Sequence, residues 1–214
     1  MSIKGLFISL EGIDGSGKTT LKANLMEKLA SRCQVLGIRE PGGTIISEKI
    51  RDMLLDVSND GIIGRTEALL YAAARCQVVE EVIRPALAQG WIVVADRFLD
   101  STLAYQGYGR GLDLEMLKDL NRICTAGLKP HLTLLLDLDP QEGQQRRTGV
   151  VPDRLEQEGL NFQTRIREGY LELARQEPER IRILSARVEP EELTRQAMKM
   201  IDEWLTSPGG EEQL

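Results

Sequence analysis

The glycine-rich stretch near the N-terminus, SLEGIDGSGKTTLKANLMEKL from residue 9 to residue 29, constrains the fold more than any other part of the chain. It contains the G-x-x-x-x-G-K-[ST] spacing of a phosphate-binding loop. The apolar segment GLFISL before it predicts a strand, and the apolar spacing from Leu21 to Leu29 predicts a helix after it. A loop that leads into a helix N-terminus presents unpaired N–H groups and the positive dipole end to an anion. A nucleoside triphosphate is the expected ligand.

Two residues of this loop have specific expected roles. Lys18 would reach the terminal phosphates, and the Thr19 hydroxyl would bind Mg²⁺. The nucleotide-contacting set is predicted to be Gly12, Ile13, Asp14, Gly15, Ser16, Gly17, Lys18, Thr19 and Thr20.

Five short apolar segments separated by helical stretches recur along the chain: GLFISL, CQVLGIR, WIVVADR, PHLTLLLDLD and RIRILSA. Most of them are apolar on both faces, which is typical of parallel strands covered by helices on two sides. The pattern predicts a doubly wound α/β fold with a five-stranded parallel sheet, in one domain over residues 1–206. The segment YQGYGRG is expected to be a loop, and the Gly/Pro-rich acidic tail over residues 207–214 is expected to be disordered.

Composition excludes several classes of protein. The net charge of −6 argues against a bulk nucleic-acid binder, and the chain has no run of 18 apolar residues that would predict a membrane span. Cys33, Cys76 and Cys124 lie far apart and are interpreted as reduced structural thiols, and His131 as a residue at a strand edge. We expect a cytoplasmic protein.

Charged residues follow the predicted strands, where ligands bind in such sheets. Asp96 after the third strand would help to hold the Mg²⁺, and the adjacent Arg97 would take a second phosphate. The alternative is that this pair only caps a helix or forms a salt bridge. The chain has no N-K-x-D sequence, and Asp96 has no neighbouring glutamate to activate water. Phosphoryl transfer to a bound phosphate is therefore favoured over hydrolysis.

Taken together, five segments resemble the thymidylate kinase family, in that family's order and spacing from about residue 4 to residue 185: EGIDGSGKTT, REPGGT, YAAARCQ, DRFLDSTLAYQGYGRG and DRLEQEG. The resemblance implies a nucleoside monophosphate kinase-like fold that transfers the γ-phosphoryl group of ATP to dTMP with Mg²⁺, in dTTP biosynthesis. It also implies a homodimer, with the apolar stretch from Ala68 to Val82 as one candidate surface. A buried core helix would give the same pattern.

The resemblance also implies a substrate site. Asp14 would meet the deoxyribose 3′-hydroxyl and the reacting phosphates, and Arg97 would bind the acceptor phosphate, with Arg39 and Arg51 as weaker candidates. Tyr71 would pack on the thymine, four residues before Arg75, which would lie near its O4. A core position is the other interpretation of that ring. Thr102 would face the base edge, Tyr105 would crowd the 2′ position, and Ser101 and Gln106 complete the set.

A lid is expected over residues 142–154. Arg146, Arg147 and Arg154 would close over the transferring phosphoryl group, unless they belong to a solvated helix end. Gly15 is a small residue where some family members carry a basic one, which resembles the bacterial type whose lid supplies the arginine. Thr148 stands where many bacterial members have arginine. Arg147 is preferred over Arg146 as the catalytic arginine.

Two other functions stay open from the residues alone. The first is a kinase for another nucleoside monophosphate or a deoxynucleoside. The second is a P-loop ATPase or regulatory module that is not a kinase.

Overall fold

The computed structural model describes residues 5–147, 149 and 152–206, and the predicted tail and Thr148 lie outside this range. Five parallel strands form one sheet in the order β2-β3-β1-β4-β5. They are β1 (Leu6–Glu11), β2 (Val35–Arg39), β3 (Ile92–Asp96), β4 (Leu132–Asp137) and β5 (Ile181–Ser185). The predicted five-stranded parallel sheet is confirmed, and each strand lies in the segment assigned to it except that β1 extends one residue further, to Glu11.

Helices connect the strands, and every strand-to-strand connection in the sheet contains at least one. They are α1 (Lys18–Ala30), α2 (Ile45–Leu55), α3 (Gly64–Val78), α4 (Arg84–Ala88), α5 (Leu99–Thr102), α6 (Leu114–Cys124), α7 (Pro140–Arg146), α8 (Leu160–Gln176) and α9 (Pro190–Thr206). A π-helical turn over Val79–Ile83 joins α3 to α4, so these helices form one continuous helical run.

Alternation along β1 divides the core between the two faces of the sheet. Leu6, Ile8 and Leu10 belong to one buried cluster with α1 and α8, whereas Phe7 belongs to the other. Both clusters are closed by helices, because strands that are apolar on both sides must be covered on both sides.

The register of the sheet brings the predicted site residues to one edge. Leu10 of β1 pairs with Asp96 of β3, and Arg39 of β2 pairs with the same aspartate. Since β1 continues into the phosphate-binding loop, that loop lies beside the residues that follow β2 and β3. The chain crosses from one side of β1 to the other between β3 and β4, which is the position where doubly wound sheets bind ligands.

Residues 105–109 of the segment YQGYGRG are helical, and the prediction of a loop was wrong for them. A π-helix over Leu103–Gly109 continues directly from α5. A Cβ at Gly107 would lie 2.5 Å from the Leu114 side chain, and one at Gly109 would lie 2.7 Å from Phe162. These glycines therefore permit close helix packing, and they do not mark a turn.

Candidate active site

The phosphate-binding loop runs from β1 to α1, and Gly17 precedes the helix at a φ of 92°. In this left-handed conformation a side chain is disfavoured. The buried Lys18 ammonium donates hydrogen bonds to the carbonyl oxygens of Gly12 (3.0 Å) and Ile13 (2.8 Å). The lysine is thus folded over the loop at the place where terminal phosphates would be expected.

Electrostatics make this lysine easier to deprotonate than a free one. Burial lowers the pKa of Lys18, and the Arg97 charge lowers it further, to about 8. The carboxylates of Asp14 and Asp96 act in the opposite direction. An incoming polyphosphate would add negative charge beside the ammonium and favour its charged form.

The two predicted metal ligands lie together at the start of α1. The Thr19 hydroxyl donates to Asp96 Oδ2 at 3.3 Å. Hard oxygen donors of this kind suit Mg²⁺, whose other positions are usually filled by phosphate oxygens and water. Within the described ranges no three His, Cys, Asp or Glu side chains gather as a metal cluster. This donor pair therefore fits an ion that is shared with a nucleotide.

Arg97 and Asp14 form an ion pair across the mouth of the loop, with Arg97 NH2 2.5 Å from Asp14 Oδ1. The Tyr105 hydroxyl accepts from the same guanidinium nitrogen at 2.9 Å and donates to Asp14 Oδ2 at 3.2 Å. Burial raises the pKa of the Asp14 carboxyl, but the charges of Arg97, Lys18 and Arg147 outweigh it and lower the pKa to about 2. Asp14 is a fixed negative charge among three cations.

Arg75 is almost fully buried, and it is held by four acceptors. Its Nε donates to Glu40 (2.7 Å), its NH1 to Thr102 (2.7 Å) and Asn121 (2.8 Å), and its NH2 to the Phe98 carbonyl (3.0 Å). These acceptors take four of its five N–H bonds, and the Cys124 thiol also lies within hydrogen-bond reach of the guanidinium. The arginine is rigid, and it forms part of the cavity wall.

Other predicted substrate residues surround Arg75. Tyr71 lies one turn before it on α3 and lines the same cavity, so its ring is open to a ligand on one side. Gln106 donates to Glu67 Oε1 at 2.9 Å and is held by that fully buried carboxylate. Ser101 lies closer to Arg97, whose NH1 donates to its hydroxyl at 3.3 Å.

Two further arginines approach from the β2 side. Arg39 pairs with Glu48 at 2.9 Å, and Arg51 donates to the Pro41 carbonyl at 2.9 Å. The neighbouring Glu40 was not in the predicted site set. Burial raises the pKa of its carboxyl to about 7 against the lowering effect of Arg75, and its Oε1 has no hydrogen-bond partner among the described residues.

The three lid arginines have different surroundings. Helix α7 ends at Arg146, and Arg147 is its C-cap at a φ of −102°. Both side chains line the cavity, and Arg147 forms an ion pair with Glu156. The helix therefore ends between the two arginines.

Arg154 is committed to the protein interior. Its guanidinium NH2 lies 2.7 Å from Glu67, its Nε donates to the Leu54 carbonyl at 2.8 Å, and only 7% of its side chain is exposed. These contacts favour Arg147 over Arg154 as the arginine that meets the reacting group.

A cavity of about 530 Å³ collects these groups beyond the carboxyl ends of the strands. The predicted residues that line it are Asp14, Gly15, Gly17, Lys18, Thr19, Arg39, Arg51, Tyr71, Arg75, Asp96, Arg97, Ser101, Thr102, Tyr105, Gln106, Arg146 and Arg147. The predicted Gly12, Ile13, Ser16, Thr20 and Arg154 are not among its lining residues. The lining residues outside the predicted site set are Lys22, Glu40, Pro41, Leu55, Asp153, Leu155 and Glu156. A signal for Asp153 and Glu156 was present in the segment DRLEQEG, whose acidic residues were not assigned roles.

Comparisons with known proteins agree on one family. A family model described as thymidylate kinase matches residues 10–197. The chain is 54% identical to the thymidylate kinase of Desulforudis audaxviator over 86% of this chain and 84% of that protein. It is 50% identical to the thymidylate kinase of Syntrophotalea carbinolica over 95% and 98% of the two chains. A crystal structure of thymidylate kinase from Ehrlichia chaffeensis matches with a TM-score of 0.79 and 31% identity, over 92% of this chain and 99% of that one.

Proposed function

We propose, from the premise that this chain belongs to the thymidylate kinase family, that the cavity at the carboxyl edge of the sheet holds ATP and dTMP side by side. The chain transfers the γ-phosphoryl group of ATP to dTMP and releases dTDP, a step in dTTP biosynthesis. The observation that carries the site assignment is that Lys18, Arg97 and Arg75 line one continuous cavity. A donor phosphate, an acceptor phosphate and a base edge would each need one hydrogen-bond donor of this kind.

The donor side is formed by the phosphate-binding loop. Its backbone N–H groups and Lys18 would hold the ATP phosphates, while Thr19 and Asp96 would hold the Mg²⁺. When it is bound, this ion neutralises charge on the polyphosphate. The structure offers two oxygen donors for it and leaves the remaining positions to the nucleotide.

The acceptor side is formed by Arg97, Asp14 and Tyr105. The guanidinium of Arg97 would bind the dTMP phosphate, and Asp14 holds that guanidinium at 2.5 Å. The same carboxylate would accept the 3′-hydroxyl hydrogen of the deoxyribose, since its low pKa keeps it ionised. Tyr105 lies between these two groups and would limit the space at the sugar.

The base would lie between Tyr71 and the rigid Arg75. Arg75 lines the cavity, and its guanidinium would donate to a carbonyl oxygen such as O4 of thymine. Thr102 accepts from Arg75, so its own hydroxyl hydrogen is free to turn towards the base edge. Gln106, fixed by Glu67, would add an amide contact.

Phosphoryl transfer needs positioning and charge neutralisation more than a nucleophilic side chain. Arg147 would supply positive charge to the transferring group after leaving its partner Glu156. Arg146 is more exposed and would contribute less.

The assignment of Arg97 to the acceptor is tested with Arg97→Lys. Lysine keeps the charge but cannot reproduce the planar fork, so KM for dTMP is expected to rise and turnover to fall, each by about tenfold or more. Steady-state kinetics with each substrate varied in turn measures both effects. A change confined to KM for ATP would contradict the assignment. ATP consumption with and without dTMP, repeated with dUMP, dCMP and AMP, separates this activity from a hydrolase and from kinases for other acceptors.

We also propose a homodimer that forms through α2 and α3. Leu69, Ala73 and Cys76 make an exposed stripe at helical spacing on α3, and Ile46 and Met53 are exposed on the adjacent α2. The opposite side of α3, including Ala68, Ala72 and Val78, is buried. A Leu69→Glu variant that kept the wild-type mass in sedimentation equilibrium would exclude this surface, provided that the wild type is a dimer.

A cytoplasmic location is proposed from the state of the thiols. Cys33, Cys76 and Cys124 are free in the structure, as is usual in a reducing cytoplasm. Over the described residues, no helix is both long and apolar enough to cross a membrane.

A further inference from the structure

A buried carboxylate that the proposed mechanism does not use lies at the end of β1. Glu11 has no exposed surface, and both of its oxygens are saturated. Its Oε1 accepts from the Ser9 hydroxyl (2.9 Å) and the Phe98 N–H (2.7 Å), and its Oε2 accepts from the Ser101 hydroxyl (2.7 Å) and the Tyr170 hydroxyl (2.8 Å). Four donors converge on this one side chain.

The backbone next to this carboxylate is strained at Arg97. Its φ is 71°, a left-handed conformation that non-glycine residues rarely adopt. The Arg97 N–H donates to the Leu10 carbonyl at 3.0 Å, and the next N–H, that of Phe98, donates to Glu11. The end of β1 therefore holds the backbone on both sides of the strained residue.

The Arg97 side chain is linked to the same carboxylate through two hydroxyls. Arg97 NH1 donates to Ser101 Oγ at 3.3 Å and to the Tyr170 hydroxyl at 3.2 Å, and these two hydroxyl oxygens lie 2.8 Å apart. Each hydroxyl has one hydrogen, the guanidinium can only donate, and an ionised carboxylate can only accept. With their hydrogens pointing towards Glu11, both hydroxyls keep lone pairs that accept from Arg97.

The surroundings oppose and favour the charged form of Glu11 at the same time. Burial raises the pKa of its carboxyl, and the nearby Asp100 adds to the rise. The hydroxyl donors of Ser101 and Tyr170 and the charge of Arg97 lower it. Four donors around the two oxygens suit an ionised carboxylate, which accepts hydrogen bonds and donates none.

We propose that Glu11 is a positioning residue for the acceptor phosphate: through the Phe98 N–H and the Ser101 and Tyr170 hydroxyls it holds the backbone and guanidinium of Arg97 in the geometry that binds dTMP. The proposal rests on the assignment of Arg97 to the acceptor. It gives Glu11 no contact with either substrate.

The test is Glu11→Gln, which keeps the shape but places an NH₂ group at one oxygen position. The Phe98 N–H cannot reorient, so the amide oxygen is expected to stay on it and the NH₂ to face the hydroxyls. These would then accept from the amide and turn their hydrogens towards Arg97. KM for dTMP is expected to rise about tenfold or more, while KM for ATP stays within about twofold.

Ser9→Ala is the matched control. It removes one donor from Glu11 at the oxygen that does not face the Arg97 guanidinium, so KM for dTMP should change less than about twofold. If Glu11→Gln gives no folded protein, the double variant Ser101→Ala/Tyr170→Phe replaces it. That variant removes both hydroxyl links and should raise KM for dTMP in the same way.

The combination with Arg97→Lys distinguishes positioning from general damage. If Glu11 acts through Arg97, Glu11→Gln should change KM for dTMP by less than about threefold in the Arg97→Lys background. Equal fold-changes in the two backgrounds, or an unchanged KM for dTMP in the single variant, would overturn the role of Glu11. Failure of the acceptor assignment gives a different result, because Arg97→Lys alone would then alter only KM for ATP.

Discussion

The contact between the phosphate-binding loop and α7 leads to a prediction about Gly15. A Cβ at Gly15 would lie 2.4 Å from the Gly143 carbonyl oxygen, and a Cβ at Gly143 would lie 2.7 Å from the Asp14 carbonyl oxygen. Helix α7, the first element of the lid, thus packs closely on backbone atoms of the loop. Gly15→Ala must move α7, which carries Arg146 and leads into Arg147.

The magnitude follows from two separate costs. The φ of 81° at Gly15 disfavours alanine by about 1–2 kcal/mol. Overpacking against the Gly143 carbonyl adds about 1–3 kcal/mol. Gly17→Ala is the matched control, because its φ of 92° brings a similar backbone cost but its Cβ would have no atom within 4 Å. The difference between the two variants isolates the clash.

Thermal and denaturant unfolding of the ligand-free protein measure this difference. For a chain of this length, about 1 kcal/mol shifts Tm by roughly 2–4 °C, so Gly15→Ala should melt about 2–12 °C below Gly17→Ala. Gly15→Ala should also lower kcat, since the lid arginines move with α7. Equal melting temperatures for the two alanine variants would refute the reasoning, because they would show that the contact between Gly15 and α7 can widen without loss of stability.

Three other predictions concern single side chains. Lys18→Met keeps the aliphatic stem but removes the ammonium that donates to Gly12 and Ile13, so kcat should fall by roughly 10² or more while Tm changes little; near-normal turnover would rule out the phosphate-loop assignment. Arg147→Ala should lower kcat by roughly 10²–10³ with little change in dTMP affinity, and Arg146→Ala should be milder; a loss confined to Arg146→Ala in parallel kinetics would reverse the two assignments. Burial lowers the pKa of His131, whose Nδ1 accepts the Phe7 N–H at 2.9 Å. Below about pH 6.5 the unfolded chain therefore binds the proton before the folded chain does, so the free energy of unfolding should decrease as the pH is lowered. His131→Asn keeps an acceptor without a titrating group. If lowering the pH decreased the urea midpoints of both proteins equally, His131 would not be the cause of the pH dependence.

The features that could be predicted from the sequence depend on neighbours in the chain. The phosphate-binding loop is contiguous from Gly12 to Thr19, and each strand is indicated by a short apolar run. Residues that follow parallel strands meet at one sheet edge, which is why Asp96 and Arg97 could be assigned beside a loop more than 70 positions earlier. The resemblance then supplied roles for residues such as Tyr71 and Arg75, which spacing alone leaves open between core and ligand site.

The contacts that tune the site could not be predicted in this way. Glu11 and Tyr170 are 159 positions apart, and neither has a local pattern that indicates their hydrogen bond. Arg154 carries the same charge as Arg147, yet the fully buried Glu67 takes it into the interior. The position of that carboxylate decides which arginine lines the cavity, and a charge pattern within the lid does not contain this information.

Glycines illustrate the same limit from the other direction. In YQGYGRG they suggest chain reversal, because glycine relieves the steric limits on φ. In the structure Gly107 and Gly109 are helical, and what they relieve is contact with Leu114 and Phe162, side chains that pack against them from α6 and α8. At Gly15 both reasons apply together, since its φ is positive and a carbonyl oxygen of α7 occupies the position of a Cβ. A glycine in the sequence can reflect a positive φ, a close neighbour that leaves no room for a Cβ, or both. Only the structure of the neighbouring element distinguishes these cases.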